Sequence, residues 1–232
     1  MTKLSTIRRQ VISCQRCPRL RAYCSRIARE KRAAFRDQDY WGKPVPGFGD
    51  RRAPVLVLGL APAAHGANRT GRVFTGDRSG DFLMQAMHGA GFANMPTSQH
   101  ARDGLALKDA YISAVVRCAP PENKPTQREI RNCQPHVEAE LVALPNLLVI
   151  VALGKVAFDA YWRIAIERDR VPRPRPAFAH GFVFKTDDAP TLVASYHPSQ
   201  QNTNTGKLTP SMLLNIFKKA RKLAGLGLSA DD

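Results

Sequence analysis

Four apolar runs constrain what this chain can fold into: residues 54–59 (PVLVLG), 111–116 (YISAVV), 147–153 (LLVIVAL) and 191–195 (TLVAS). None alternates apolar with polar side chains, so each reads as a strand covered on both faces, the mark of a parallel sheet buried between helices. Helical periodicity fills the intervals, over about 80–90, 126–143, 155–166 and 209–223. The second of these opens with a capping box, Thr126 and Glu129, directly after Pro125. Strand alternating with helix predicts a three-layer α/β fold around a mostly parallel sheet. Residues 177–185 suit a short edge strand, and 172–176 (PRPRP) an extended linker. The first forty residues read as a basic helix around 14–32 followed by a loop. With 232 residues and no internal repeat, one domain spanning 1–232 is the economical organisation, carrying a basic N-terminal segment at 1–50.

Open α/β sheets bind ligands outside the carboxyl ends of their strands. The stretch after the first run, GLAPAAHGANRTGRVFTGD, holds four glycines in residues 59–77. Glycine there lets backbone approach a ligand closely. The stretch lacks GxxxxGK[ST], which excludes a Walker cradle, and its glycines are misplaced for a dinucleotide fingerprint. Phe74 reads either as a core anchor or as a flat platform on which a base stacks. Asp77 reads as the cap of the helix that follows or as the one carboxylate able to orient water. His65 reads as a plain loop histidine. The last loop, HPSQQNTNTG at 197–206, is the stronger signal. His197 follows a buried strand directly, where a catalytic or electrophilic histidine belongs. Ser199, Gln200, Gln201 and Asn202 are short hydrogen-bonding groups that suit phosphates and minor-groove acceptors.

The net charge of +16 raises the expectation of a polyanionic partner, and residues 1–36 concentrate it, with eleven Lys and Arg against the single acid Glu30. That run suits either a solvated face or a groove tracking a sugar–phosphate backbone. No stretch of eighteen apolar residues and no signal-peptide pattern is present, so the expectation is a cytoplasmic protein with nucleic acid rather than membrane as its partner. Five cysteines in such a chain argue against a disulfide framework. Cys14 and Cys17 form a CxxC, and Cys118 and Cys133 a C-x14-C; together they can supply four sulfur ligands to zinc or to an iron–sulfur cluster. The looser second spacing favours [4Fe–4S], against a chance CxxC with buried thiols. Cys24 reads as a spare core or surface thiol.

With residues 59–80, 111–126 and 197–206 and the four cysteines, the chain resembles the uracil-DNA glycosylase superfamily, in its type-b (family five) iron–sulfur class. The resemblance covers the chain from Cys14 to the last helix. It implies an α/β/α sandwich with a four-stranded, mostly parallel central sheet, and a [4Fe–4S] cluster held by Cys14, Cys17, Cys118 and Cys133. It implies a monofunctional enzyme that flips uracil out of DNA and hydrolyses its N-glycosidic bond, acting also on other damaged bases such as hypoxanthine or ethenocytosine. Phe74 would stack on the flipped base, with Leu60, Ala61, Ala64, Ala114 and Asn123 completing the base-binding set. His197 and Asp77 would be catalytic. Ser199, Gln200, Gln201 and Asn202 would bind DNA, the last three from the minor groove. Sister classes place a polar water-holder where this chain has Ala63–Ala64, and a pyrimidine-reading Asn where it has Ala114; type b shares both departures.

The chemistry tolerates them. N-glycosidic cleavage runs through an oxocarbenium-like sugar with the base leaving as an anion, so stabilising the leaving group matters more than a strong nucleophile. Preorganised donors supply about 100–1000-fold each. His197 and backbone N–H groups of residues 60–64 are the donors available. Without a pyrimidine-reading Asn the site should reject less, giving a broad base range. A monomer suffices. The alternative is a non-catalytic nucleic-acid-binding module with a structural metal site.

Overall fold

The computed structural model describes residues 3–168, 171, 174–185 and 187–227; residues 172 and 173 of the expected linker lie outside them. Six strands among these residues form one sheet: β1 (Phe48–Gly49), β2 (Val55–Gly59), β3 (Ala110–Ala114), β4 (Val149–Leu153), β5 (Val183–Phe184) and β6 (Thr191–Ser195). Their order is β1-β3-β2-β4-β6-β5. The four apolar runs became the four central strands, all parallel. Two short antiparallel strands close the edges, so the sheet has six strands rather than four. At two residues each, they are too short to leave a period-two pattern in the sequence; β5 nevertheless falls within the edge strand expected at 177–185.

The helices are α1 (Lys3–Ile12), α2 (Pro18–Glu30), α3 (Ala67–Thr70), α4 (Arg78–Gly89), α5 (Gln127–Ala143), α6 (Lys155–Glu167), α7 (Gln200–Asn204) and α8 (Pro210–Leu223). The capping box at Thr126 and Glu129 forms as expected. The basic helix expected around 14–32 forms as α2, and a further helix, α1, precedes it. Pro18 lacks the N–H a continuing helix needs, so it starts α2 and leaves Cys14 to Cys17 in the bend between.

Strand pleating sends alternate side chains to opposite faces. Leu56, Leu58, Ile150, Ala152, Leu192 and Ala194 enter one core with apolar residues of α1, α2, α5 and α6. Val55, Val57, Val149, Val151 and Val193 enter the other with those of α4 and α8. Helices therefore cover both faces, giving the three-layer α/β/α sandwich. No helix among the described residues is long and apolar enough to cross a membrane.

Topology locates the functional rim. From β2 the chain steps to β3 on one side, then returns to place β4 on the other. The crevice at the carboxyl ends of β2 and β4 is thus the switch point at which open α/β sheets bind ligands.

Candidate functional site

Two glycines at this switch point make room for two rings. Gly59 ends β2, and a Cβ there would come within 2.6 Å of Phe74 Cε2 and 2.7 Å of Cζ. The phenyl ring therefore lies across the strand end because position 59 has no side chain. Phe74 sits at φ +48°, which is costly for an aromatic residue and is the kind of strain that folds retain at functional sites. Gly154 follows β4 at φ +89°, and a Cβ there would stand 3.1 Å from that of His197. The Phe74 and His197 rings meet with centroids 5.9 Å apart and planes tilted by 33°. Burial depresses the His197 imidazole to about 4, so it is neutral at physiological pH. Its loop is closed on itself. The Asn202 amide donates to the His197 carbonyl at 2.8 Å, and Ser199 caps α7 by accepting from the Asn202 N–H.

Beside this pair opens a cleft of about 620 Å³. The first loop contributes Ala63, Ala64, His65, Gly66, Gly76 and Asp77; the β3–α5 connection contributes Pro120, Glu122 and Asn123; Gln200 closes one side. Asp77 takes the first of its two expected roles, the helix cap. Its Oδ1 accepts the Gly80 N–H at 2.9 Å, capping α4, while the carboxylate stands in the cleft wall. A Cβ at Gly66 would overlap Asp77 Oδ2, so the position has no space for a side chain. Burial raises the Asp77 carboxyl above the ordinary range. Glu122 and Asn123 both adopt positive φ, at 54° and 58°, a second strained turn facing the same space.

Ala64, Asp77, Asn123 and Gln200 of the expected site thus share the cleft, and Phe74 and His197 pair beside it. The structure does not bring Leu60, Ala61 or Ala114 to the cleft lining: Ala61 packs against the core, Ala114 is buried at the end of β3, and the Leu60 carbonyl accepts the Val116 N–H. Gln200 and Gln201 are exposed on α7.

Sequence reasoning missed the N-terminal wall. Tyr23, Arg32 and Phe35 line the cleft. His65, read as a plain loop histidine, pairs its Nδ1 with the Tyr40 hydroxyl at 3.0 Å, and burial lowers its pKa. Arg69 binds these loops together through the His65 and Gly76 carbonyls and the Gln38 side chain, with Phe35 stacked 3.9 Å from its guanidinium carbon. The only sequence signal for this wall was the charge run at 1–36, which does not say which face it serves.

Cys14, Cys17, Cys118 and Cys133 line one small cavity together with Arg21, Arg117 and Asn132. Among the described residues no group of three or more His, Cys, Asp or Glu side chains that could hold a metal ion is found. The sulfurs are nonetheless supplied with donors: the Arg117 N–H to Cys133 Sγ at 3.3 Å, Asn132 Nδ2 to Cys17 Sγ at 3.6 Å and Arg21 Nη1 to Cys118 Sγ at 4.0 Å. Burial pushes Cys17 up and Cys133 up to about 12, and hydrogen bonding with Cys24 together with burial raises Cys118. Cys24 itself is fully buried and donates toward the Ala119 carbonyl. The α2 helix is tied to α5 by the Arg19–Glu129 pair at 2.8 Å.

Comparison with known proteins agrees with this geometry. A family model described as the uracil DNA glycosylase superfamily matches residues 46–221. The chain is 51% identical over 214 residues to the type-5 uracil-DNA glycosylase of Mycobacterium tuberculosis (strain CDC 1551 / Oshkosh), spanning 92% of this chain and 79% of that protein. It is 51% identical over 219 residues to the type-5 uracil-DNA glycosylase of Mycobacterium leprae (strain TN), spanning 94% of each. It is 47% identical over 215 residues to the type-5 uracil-DNA glycosylase of Thermus thermophilus, spanning 92% of this chain and 95% of that one. The chain belongs to the uracil-DNA glycosylase superfamily.

Proposed function

We propose, from that membership, that this chain is a monofunctional DNA-repair glycosylase that hydrolyses the N-glycosidic bond of uracil in DNA and leaves an abasic site. The observation that carries this reading is the pairing of Phe74 with a neutral His197 across the switch point, beside a cleft walled by Asp77. A base inside a duplex cannot be reached, so it is flipped out at a cost of a few kcal/mol of unstacking. Stacking on Phe74 offsets about 1–3 kcal/mol of that. As the bond to the sugar breaks, negative charge develops on the base oxygen and the neutral His197 N–H donates to it. A neutral imidazole stabilises the anion without having to transfer a proton. Asp77 orients the water that attacks the oxocarbenium-like sugar. Gln200 and Gln201 contact the duplex, while Ser199 and Asn202 hold the loop that presents them. Arg32 and Arg78, both lining the cleft, serve the phosphates.

Position 114 is a buried alanine with no polar edge to offer, which supports excision of other deaminated or damaged bases such as hypoxanthine or ethenocytosine. Cys14, Cys17, Cys118 and Cys133 hold a [4Fe–4S] cluster on this reading; four cysteine sulfurs around one small cavity, supplied with N–H donors, form the kind of donor set such a cluster takes. Such a cluster supplies structure rather than electrons to this hydrolysis. The enzyme acts as a monomer in the cytoplasm.

The test is purified protein with an end-labelled duplex holding one uracil, followed by alkali, beside a uracil-free control. Strand breakage only at the uracil supports the reading. A duplex that is bound but never broken overturns it in favour of a non-catalytic DNA-binding module. Parallel duplexes with hypoxanthine and ethenocytosine set the base range, and activity on uracil alone would contradict the broad range proposed.

A further inference from the structure

A buried ion pair lies outside the cleft. Arg117 stands shortly after β3, beyond Val115 and Val116, and its side chain is 1% exposed. One nitrogen, Nη2, donates to Glu140 Oε2 on α5, whose side chain is equally buried. That carboxylate also accepts from Ser113 Oγ at 2.6 Å and, through Oε1, from Tyr111 at 3.4 Å, so its own needs are met by β3. Arg117 is less well served: Nε and Nη1 are buried and have no hydrogen-bond partner. A guanidinium can donate five hydrogen bonds and cannot discard its charge, so two unserved nitrogens at full burial are expensive. Arg21 Nε is likewise buried without a partner. Both arginines line the cavity ringed by the four cysteines.

Ordinary explanations do not cover this arrangement. If Arg117 served only as the counter-ion of Glu140, a bidentate fork would satisfy more of its donors, yet a single nitrogen makes that bond. Burial excludes a solvent-exposed role. An anionic group in the cavity would answer these donors, and four thiolates around a multi-iron cluster carry net negative charge.

We propose that Arg117 is a positioning residue for the cluster: Glu140 anchors one arm of its guanidinium so that Nε and Nη1 donate to the cluster and its cysteine sulfurs, with Arg21 assisting from α2. The proposal rests on the iron–sulfur reading of the cysteines and adds to it a second layer that sets cluster retention and reduction potential. Hydrogen bonds and positive charge beside such a cluster favour its more reduced, more negative state, so removing them lowers the potential. The same network reaches Ser113, the neighbour of Ala114 in β3, and so joins the cysteine cavity to the strand that ends at the rim.

Replacing Arg117 alone strands a buried carboxylate and risks unfolding. The informative protein is therefore the double variant Arg117→Met/Glu140→Gln, which removes both buried charges while leaving Ser113 an acceptor. Wild type and double variant are purified without oxygen and compared for iron and acid-labile sulfide per chain, rate of bleaching in air, and midpoint potential. Expected are a folded double variant with a more negative potential and several-fold faster bleaching, and partial recovery of both in Arg117→Lys. A folded, fully loaded double variant with unchanged potential and bleaching overturns the role of Arg117 alone. Wild type without iron and sulfide overturns the cluster reading and this proposal together.

Discussion

The strand-end rim and the cysteine cavity handle polar groups in different ways. At the rim most donors and acceptors are answered internally, with Asn68 Oδ1 a buried exception. Asp77 is held by the Gly80 N–H, the His197 carbonyl by Asn202, and His65 by Tyr40. The cost there is backbone strain, at Phe74, Glu122 and Asn123. In the cavity the backbone is relaxed, but buried nitrogens of Arg21 and Arg117 are unanswered, and Cys17, Cys118 and Cys133 all titrate above the ordinary range. A preformed site stores strain and waits for a substrate that comes and goes. A site with unserved buried donors is finished only by a permanent occupant.

If the four cysteines hold the proposed cluster, stripping its iron by anaerobic chelation tests the contrast most severely. Protection from hydrogen exchange is expected to be lost in α1 and α2 while β2, β4 and β6 stay protected; uniform loss or no loss would erase the distinction. Next in size, His197→Ala should lower kcat by ~100–1000-fold with DNA affinity and Tm nearly unchanged. Because its pKa is depressed to about 4, the wild-type rate should be flat through the pH range where histidines ordinarily titrate and should fall only toward pH 4. The same depression has a stability sign. Between pH 6.5 and about 4 the unfolded histidine binds a proton that the folded one refuses, so the contribution is full above 6.5 and is lost as pH falls.

Asp77→Asn sharpens the comparison within the rim. Asparagine caps a helix as well as aspartate does, so Tm should hold within a degree or two while kcat drops by ~100-fold. A large loss of Tm would make Asp77 structural first. Phe74→Ala removes ~1–3 kcal/mol of stacking, read as weaker binding of a duplex that carries an abasic-site-flanked or mismatched uracil. Smallest of all, Arg19→Ala breaks the half-exposed pair with Glu129 beside the cavity and should cost only ~0.2–1 kcal/mol, seen as a slight fall in Tm with full activity.

Much of the fold was legible because burial leaves an unmistakable trace. Continuous apolar runs became the four central strands, and the capping box at Thr126 marked the start of α5. The two edge strands were too short to leave such a trace. Pro18 starts α2 four residues after the expected helix start, and α1 ahead of it was not expected. Of the site, Phe74, Asp77 and His197 were readable because each stands immediately beyond a buried strand or inside a glycine-rich turn. The wall formed by Tyr23, Arg32 and Phe35 was not, since nothing in a run of charge says which surface it will face.

The sequence by itself thus determined the class of fold, the loops that gather at one rim, and the residue types available there, because periodicity and loop chemistry are local properties of the chain. Only the tertiary structure decided that Phe74 meets His197, that Gly66 must yield space to Asp77, and that Arg117 lies buried with unserved donors beside four sulfurs. These are contacts between residues that do not adjoin in the sequence. Their energies depend on burial and distance, which exist only once the sheet has closed and the helices have covered both of its faces.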